Sequence, residues 1–267
     1  MKRMLVMHKL FLLSAAVALV CASPVFSATP EERGLEIAQE VDNRDKGFGG
    51  STNNIKMTLR DKYGNERPRF IRNRTIEQEN DGDKSIVIFD NPGDVKGTAF
   101  LSHTHKVGSD DQWLYLPALK KVKRISSSNK AGAFMNSEFS YEDISSQELE
   151  KYTYKYLRED EVRGIKVYVN EADPVDPKSG YSKLESFIDA ERFIMLKIDF
   201  YDRGGRLKKT LIMDDYHQHK EKYWRANLWT MTNHQTGKAT TLKQSEWDFD
   251  TTFTDKDFDK NSLSRVK

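Results

Sequence analysis

Four of the six histidines fall into two pairs, His103-x-His105 and His217-x-His219. Residues i and i+2 of a strand point to one face, so each pair could present two imidazoles together. On neighbouring strands the four rings could hold Zn²⁺ or Cu²⁺. His103, His105, His217 and His219 are therefore the metal candidates, and solvated or locally hydrogen-bonded histidines are the simpler reading. Carboxylates cluster at Asp110-Asp111, Glu159-Asp160-Glu161 and Asp214-Asp215. Paired carboxylates can hydrolyse glycosides, but these sit where strand ends are expected, in solvated turns. There is no G-x-S-x-G, no H-E-x-x-H and no phosphate-binding glycine loop. The one cysteine, Cys21, lies in a segment expected to be discarded, which leaves no Cys/His catalysis and no disulfide framework. The chain is not read as an enzyme, and no cofactor is called for.

That discarded segment is residues 1–27. Lys2, Arg3 and Lys9 form a positive start, and residues 10–22 are uncharged and mostly apolar. The apolar run is shorter than the roughly 20 residues of a membrane-spanning helix. Pro24 breaks it, and Ser27 and Ala28 offer small residues for cleavage. This is the anatomy of a secretory signal, so residues 28–267 are expected to be one exported domain. The full chain carries 43 basic and 41 acidic side chains. Without the signal the balance is 40 to 41, close to neutral, which argues against nucleic-acid binding driven by bulk charge.

The elements that position these residues follow from periodicity. Thr29-Pro30-Glu31-Glu32 reads as a helix start, with a capping hydroxyl, proline in the first turn and acids near the positive end of the dipole. Leu35, Ile37, Ala38 and Val41 supply its apolar side, so a helix is expected over 30–45. Beyond Gly47-Phe48-Gly49-Gly50 the period becomes two, as in Ile55, Met57 and Leu59. Residues 84–90 (KSIVIFD) read as a strand buried on both faces. Between residues 152 and 248, apolar alternation is interrupted by turn signals at 163–164, 173–180, 202–205 and 234–238. The turns are too short for crossover helices, so the sheet is antiparallel. The tally is about eleven strands and two or three helices, one of them short, near 141–150. The fold class is mainly β, with some helix: a single large antiparallel sheet that must curl into a half-open barrel. A few helices and a lid loop would cover it, and any unfilled concavity would admit an apolar guest.

Two motifs carry a family resemblance: WLYLPALKKVKRI at 113–125 and FMNSEFSYED at 134–143. Together with the strand–turn–strand pattern over 193–212, they resemble the LolA-like proteins known as outer membrane lipoprotein-sorting proteins, across roughly residues 30–265. The resemblance implies a helix-covered half-barrel in the bacterial periplasm, with acyl chains carried between sheet and lid. It also implies the branch associated with RND/MmpL-type exporters. The expected function is therefore a periplasmic carrier or chaperone that passes a lipid or acylated cargo between inner-membrane machinery and the outer membrane. The alternatives are a non-carrying accessory subunit of such an exporter and, behind it, a His-based metal binder. A monomer in transient contact with membrane is expected.

The candidate cavity wall is the alternating set Ile55, Met57, Leu59, Phe100, Leu114, Leu116, Ile194, Leu196, Ile198, Leu211 and Met213. Sealed core is the alternative for each of them. Phe134, Met135 and Phe139 lie in a Ser/Gly/Ala-rich stretch, residues 127–140, which is the candidate lid; a loop pinned to the core is the other reading. Lys120, Lys121, Lys123 and Arg124 form a basic edge, either for anionic headgroups or an acidic partner or as charge protection of a sheet edge.

Overall fold

A computed structural model describes residues 28–265; the expected signal at 1–27 lies outside the described residues. The opening helix forms as read: α1 spans Pro30–Asp45, with a capping box between Thr29 and Glu32 and proline at its start. The strands that follow number thirteen, two more than the tally. They are β1 (Gly50–Arg60), β2 (Glu66–Ile76), β3 (Lys84–Asn91), β4 (Ala99–His103), β5 (Asp111–Leu116), β6 (Lys121–Ile125), β7 (Tyr152–Val162), β8 (Ile165–Pro174), β9 (Tyr181–Asp189), β10 (Met195–Asp202), β11 (Leu207–His219), β12 (Tyr223–Asn233) and β13 (Ala239–Asp248). Only one α-helix is present among the described residues. The short helix expected near 141–150 is instead two 3-10 turns, Tyr141–Asp143 and Leu149–Lys151. No helix among the described residues is long and apolar enough to cross a membrane.

All thirteen strands form one antiparallel sheet in the order β6-β5-β4-β3-β2-β1-β13-β12-β11-β10-β9-β8-β7. The chain meanders outward from β1 to β6, jumps to the far edge at β7, and meanders back until β13 pairs with β1. β6 and β7 are the two edges and do not pair with each other, so the sheet is curled and open. The topology forces the long connection at 126–151. A chain leaving one edge and entering the other must cross the opening between them, which no short turn can do.

The core sits in three places. The largest cluster lines the concave side, with Met57, Ile71, Phe89, Phe100, Leu184, Phe200, Leu211 and Met231. On the convex side, Ile86, Ile88, Ala99 and Leu101 are covered by the C-terminal Phe258 and Leu263. This is why residues 84–90 are apolar on both faces. The third cluster, Val167, Val169, Phe187, Ile194 and Leu196, belongs to β8–β10.

Candidate ligand cavity

The concave face is filled at one end and hollow at the other. The filled end is built from the starts of β9, β11 and β13 and the ends of β1 and β12. There the 126–151 connection dives into the hollow. Phe134 and Phe139 are each 1% exposed. Phe134 packs against Phe100, Phe89 and Tyr141, with ring centroids 5.1, 6.0 and 5.6 Å away. The polar residues of the same motif fasten it. Ser140 and Asp143 form a capping box. Asp143 accepts from Lys209 Nζ at 2.5 Å and from the Tyr181 hydroxyl at 2.8 Å. Lys209 Nζ also donates to the Glu138 carbonyl at 2.9 Å, and Asn233 and Thr240 hold the side chain and backbone of Glu138. Lys209 and Asp143 are almost completely buried. An ion pair this deep holds because further partners support each charge: the Ser140 N–H and the Tyr181 hydroxyl on Asp143, and the Glu138 carbonyl and the Tyr181 and Phe200 rings on Lys209. The segment expected as a lid is therefore a plug.

The opposite end holds a cavity of about 850 Å³, within the roughly 300–1,000 Å³ typical of small-molecule sites. Its floor is Ala172, Ile188, Met195, Met213, Tyr216 and Ala226, with Trp224, Trp229 and Trp247 from β12 and β13. Three of the four tryptophans of the chain thus face one hollow. Its roof is α1, through Ala38, Val41, Asp42 and Asp45, which share one helical stripe. Ser51, Asn73, Thr75, Asn170, Ser186 and Gln244 add polar groups to the walls.

α1 is held at both ends. Near its start, Gly34 lies flat on β7: a Cβ there would stand 2.6 Å from the Tyr156 nitrogen and 2.7 Å from the Lys155 backbone. Only glycine permits that approach. The buried Asn170 side chain donates from Nδ2 to the Gly34 carbonyl at 2.9 Å. At the other end Asp45 pairs with Arg225 of β12, and Arg44 donates to the Glu191 carbonyl at 2.9 Å with its guanidinium 4.5 Å above the Phe193 ring.

Of the residues expected to line a cavity, Ile194 and Met213 do so. Met57, Phe100, Leu114, Ile198 and Leu211 are buried in the concave cluster with Phe134 and Phe139, and Ile55, Leu59, Leu116 and Met135 pack against it. Leu196 belongs to the β8–β10 cluster. The helix expected to close over the hollow does so through Ala38 and Val41; the tryptophans and the arginines at the mouth were missed. Three tryptophans within 24 residues, on strands with small residues between them, were the available signal.

The histidine pairs are not brought together. Five strands lie between β4 and β11 in the sheet order, and no group of three or more metal-ligating side chains occurs among the described residues. His103 Nε2 donates to the Phe258 carbonyl at 2.7 Å. His105 Nδ1 donates to Asp81 at 2.7 Å, which holds the Asp81 carboxyl down at about 2 and raises His105. His217 bonds Asp215 at 3.0 Å. His219 packs against Trp247 and Phe249, and burial lowers its pKa. The carboxylate clusters are taken up by cations, as in Asp110–Lys151, Asp111–Arg124 and Asp214–Arg163. On β6, Lys121, Lys123 and Arg124 are exposed, and Lys120 occupies a left-handed turn with φ 47°.

An open antiparallel half-barrel with one helix roofing its hollow is a fold shared with solved structures. A domain from Vibrio parahaemolyticus assigned as an outer membrane lipoprotein-sorting protein is 51% identical, with a TM-score of 0.87 over 88% of this chain and 100% of that one. A DUF1329 family protein from Desulfovibrio piger is 27% identical, with a TM-score of 0.83 over 88% and 100%. A LolA superfamily protein from Nitrosomonas europaea shares the fold at 20% identity, with a TM-score of 0.68 over 88% and 99%. A family model described as an uncharacterized protein matches residues 81–265, and no curated protein matches significantly. The chain belongs to the LolA-like outer membrane lipoprotein-sorting protein family.

Proposed function

We propose that this protein is a periplasmic, non-catalytic carrier or chaperone that holds a lipid or acylated molecule beneath α1. It passes that cargo between inner-membrane machinery and the outer membrane. The observation that carries the reading is the cavity of about 850 Å³ with an aromatic and aliphatic floor. Burial contributes about 0.8 kcal/mol per methylene, so a long acyl chain needs few directional contacts there. Ile194 and Met213 are its wall residues from the expected set. The plugged end keeps the sheet rigid while α1 admits the cargo.

In this reading residues 1–27 are an export signal cleaved near Ser27 or Ala28, and residues 28–267 act as one monomeric domain. The exposed edge Lys120, Lys121, Lys123 and Arg124 meets anionic headgroups or an acidic partner surface, and an RND/MmpL-type transporter is the proposed inner-membrane source. Purification without detergent, solvent extraction and mass spectrometry test the proposal. A bound amphiphile, or saturable binding of a fluorescent fatty acid, is the expected result. Neither would be found if the protein carries nothing, and a non-carrying exporter subunit would then replace it.

A further inference from the structure

The mouth of the cavity has a polarity that the apolar floor does not explain. Where the C-terminal end of α1 meets the sheet, two arginines of the lining sit over aromatic rings. Arg192, in the β9–β10 connection, lies 5.5 Å above the Trp224 ring. Its Nε donates to Oδ2 of the buried Asp189 at 2.8 Å, and its Nη2 stands 2.7 Å from the same oxygen in an ion pair; its Nη1 has no partner among the described residues. Arg225, on β12, is ringed by Phe48, Tyr223, Trp247 and Phe249 at 5.3–6.0 Å. Its Nη1 donates to Asp45 on the roof and to the Trp224 carbonyl, and its remaining N–H groups have no partner among the described residues. Both guanidiniums are near Tyr216, where each favours the ionised phenol against the burial that raises it.

Two pre-oriented guanidiniums with spare donors suit an oxyanion, because charge-assisted bonds are roughly twice as strong as neutral ones. Packing over rings fixes the fork before a ligand arrives, so little side-chain entropy is lost on binding. The acids that also line the mouth are mostly engaged. Asp42 pairs with Lys46, Asp45 with Arg225, and Asp81 with His105, while Glu77 accepts the N–H groups of Gly47 and Gly49. Glu79, Asp83 and Glu148 remain; Glu79 is exposed to solvent, and the other two are partly buried. Burial favours their neutral forms.

We propose that Arg192 and Arg225 form the headgroup site of the cavity, and that the cargo is an amphiphile with an anionic head, carboxylate or phosphate, whose tail lies under α1. The proposal rests on the carrier reading and narrows its cargo. An anion on Arg225 competes with Asp45, so headgroup binding and release of the roof share one residue.

Four probes of equal chain length test it: dodecanoate, dodecyl phosphate, dodecanol and dodecylamine, titrated into the full protein and followed by tryptophan fluorescence. Trp224, Trp229 and Trp247 report from the wall. The expected result is at least about tenfold tighter binding of one or both anions than of dodecanol, with the two anionic arms separating carboxylate from phosphate. In Arg192→Gln and Arg225→Gln the anion-to-alcohol ratio is expected to fall to within about twofold, and Arg225→Lys to keep part of it. Equal binding of anion and alcohol, tightest binding of the amine, or an undiminished ratio in both Gln variants would overturn the headgroup site while leaving the carrier reading standing. Failure of all four probes to bind would remove both.

Discussion

The two ends of the concave face share the same strands and differ in what covers them. At one end the 126–151 connection fills the hollow with Phe134 and Phe139 and ties itself to the sheet through Asp143, Lys209 and Glu138. At the other, a single amphipathic helix spans the opening on a few polar contacts and leaves about 850 Å³ beneath it. The plug is integral to the core: Phe134 and Phe139 are buried, and Asp143 pairs with the equally buried Lys209. The roof is seated by the Gly34 contact, the buried Ile37 and the Asn170 hydrogen bond, and otherwise by ion pairs near solvent. A carrier needs this asymmetry, with one end rigid enough to hold the curl and the other loose enough to open.

Substitutions can break the comparison at either end. The largest effect is expected from Lys209→Met, which strands the Asp143 carboxylate without its cation. Leaving one partner of a buried pair costs about 3–5 kcal/mol, read as a drop in urea midpoint. Replacing both, Lys209→Met with Asp143→Leu, should recover part of that loss. Phe134→Ala follows. It creates a cavity in the plug and should cost about 3–5 kcal/mol, whereas Val41→Ala, facing the existing hollow, should cost under about 1 kcal/mol. Equal costs at the two positions would mean that the ends are not different.

A smaller, local effect is expected from Gly34→Ala. The added methyl meets the β7 backbone and lifts the start of α1. Hydrogen exchange in residues 30–45 should rise, and release of a fluorescent acyl probe should quicken by roughly tenfold, a barrier change of about 1.4 kcal/mol. Unchanged exchange would show that the roof is not seated there.

The smallest effect is a pH dependence at the mouth. Burial pushes the Asp83 carboxyl up to about 7, against the opposing Gln78 N–H and with help from the nearby Glu148, Glu77 and Asp45. The folded state then holds a proton that the unfolded state has released. The contribution to stability is present at low pH, declines as pH rises from about 4, and is lost above about 7. Thermal melts at pH 6 and pH 8 should therefore diverge in favour of pH 6, by more in the wild type than in Asp83→Asn.

Much of the architecture was legible because it is written in local signals. Thr29-Pro30-Glu31-Glu32 marks the helix start, and alternation with short turns marks the antiparallel strands. What sits inside the curl was not legible, because it depends on register and on a crossing that the strand pattern does not encode. The stretch at 127–140 reads as flexible from its Ser, Gly and Ala residues. The groups that fix it, Tyr181, Lys209, Asn233 and Thr240, lie on strands far along the chain. The apolar set chosen as cavity wall was chosen by alternation, which marks the concave face without saying which end the plug occupies. Trp224, Trp229 and Trp247 stand at the other end of that face.

The account turns on whether the hollow beneath α1 holds an acyl chain. Titration of a fluorescent fatty acid into the wild type and into Val41→Trp, which places an indole in the cavity from the roof and leaves every sheet residue unchanged, tests this most directly. One saturable site is expected in the wild type, weakened at least about tenfold in Val41→Trp with the melting temperature little changed. Absence of saturable binding in the wild type, or equal affinity in the two proteins, would contradict the account.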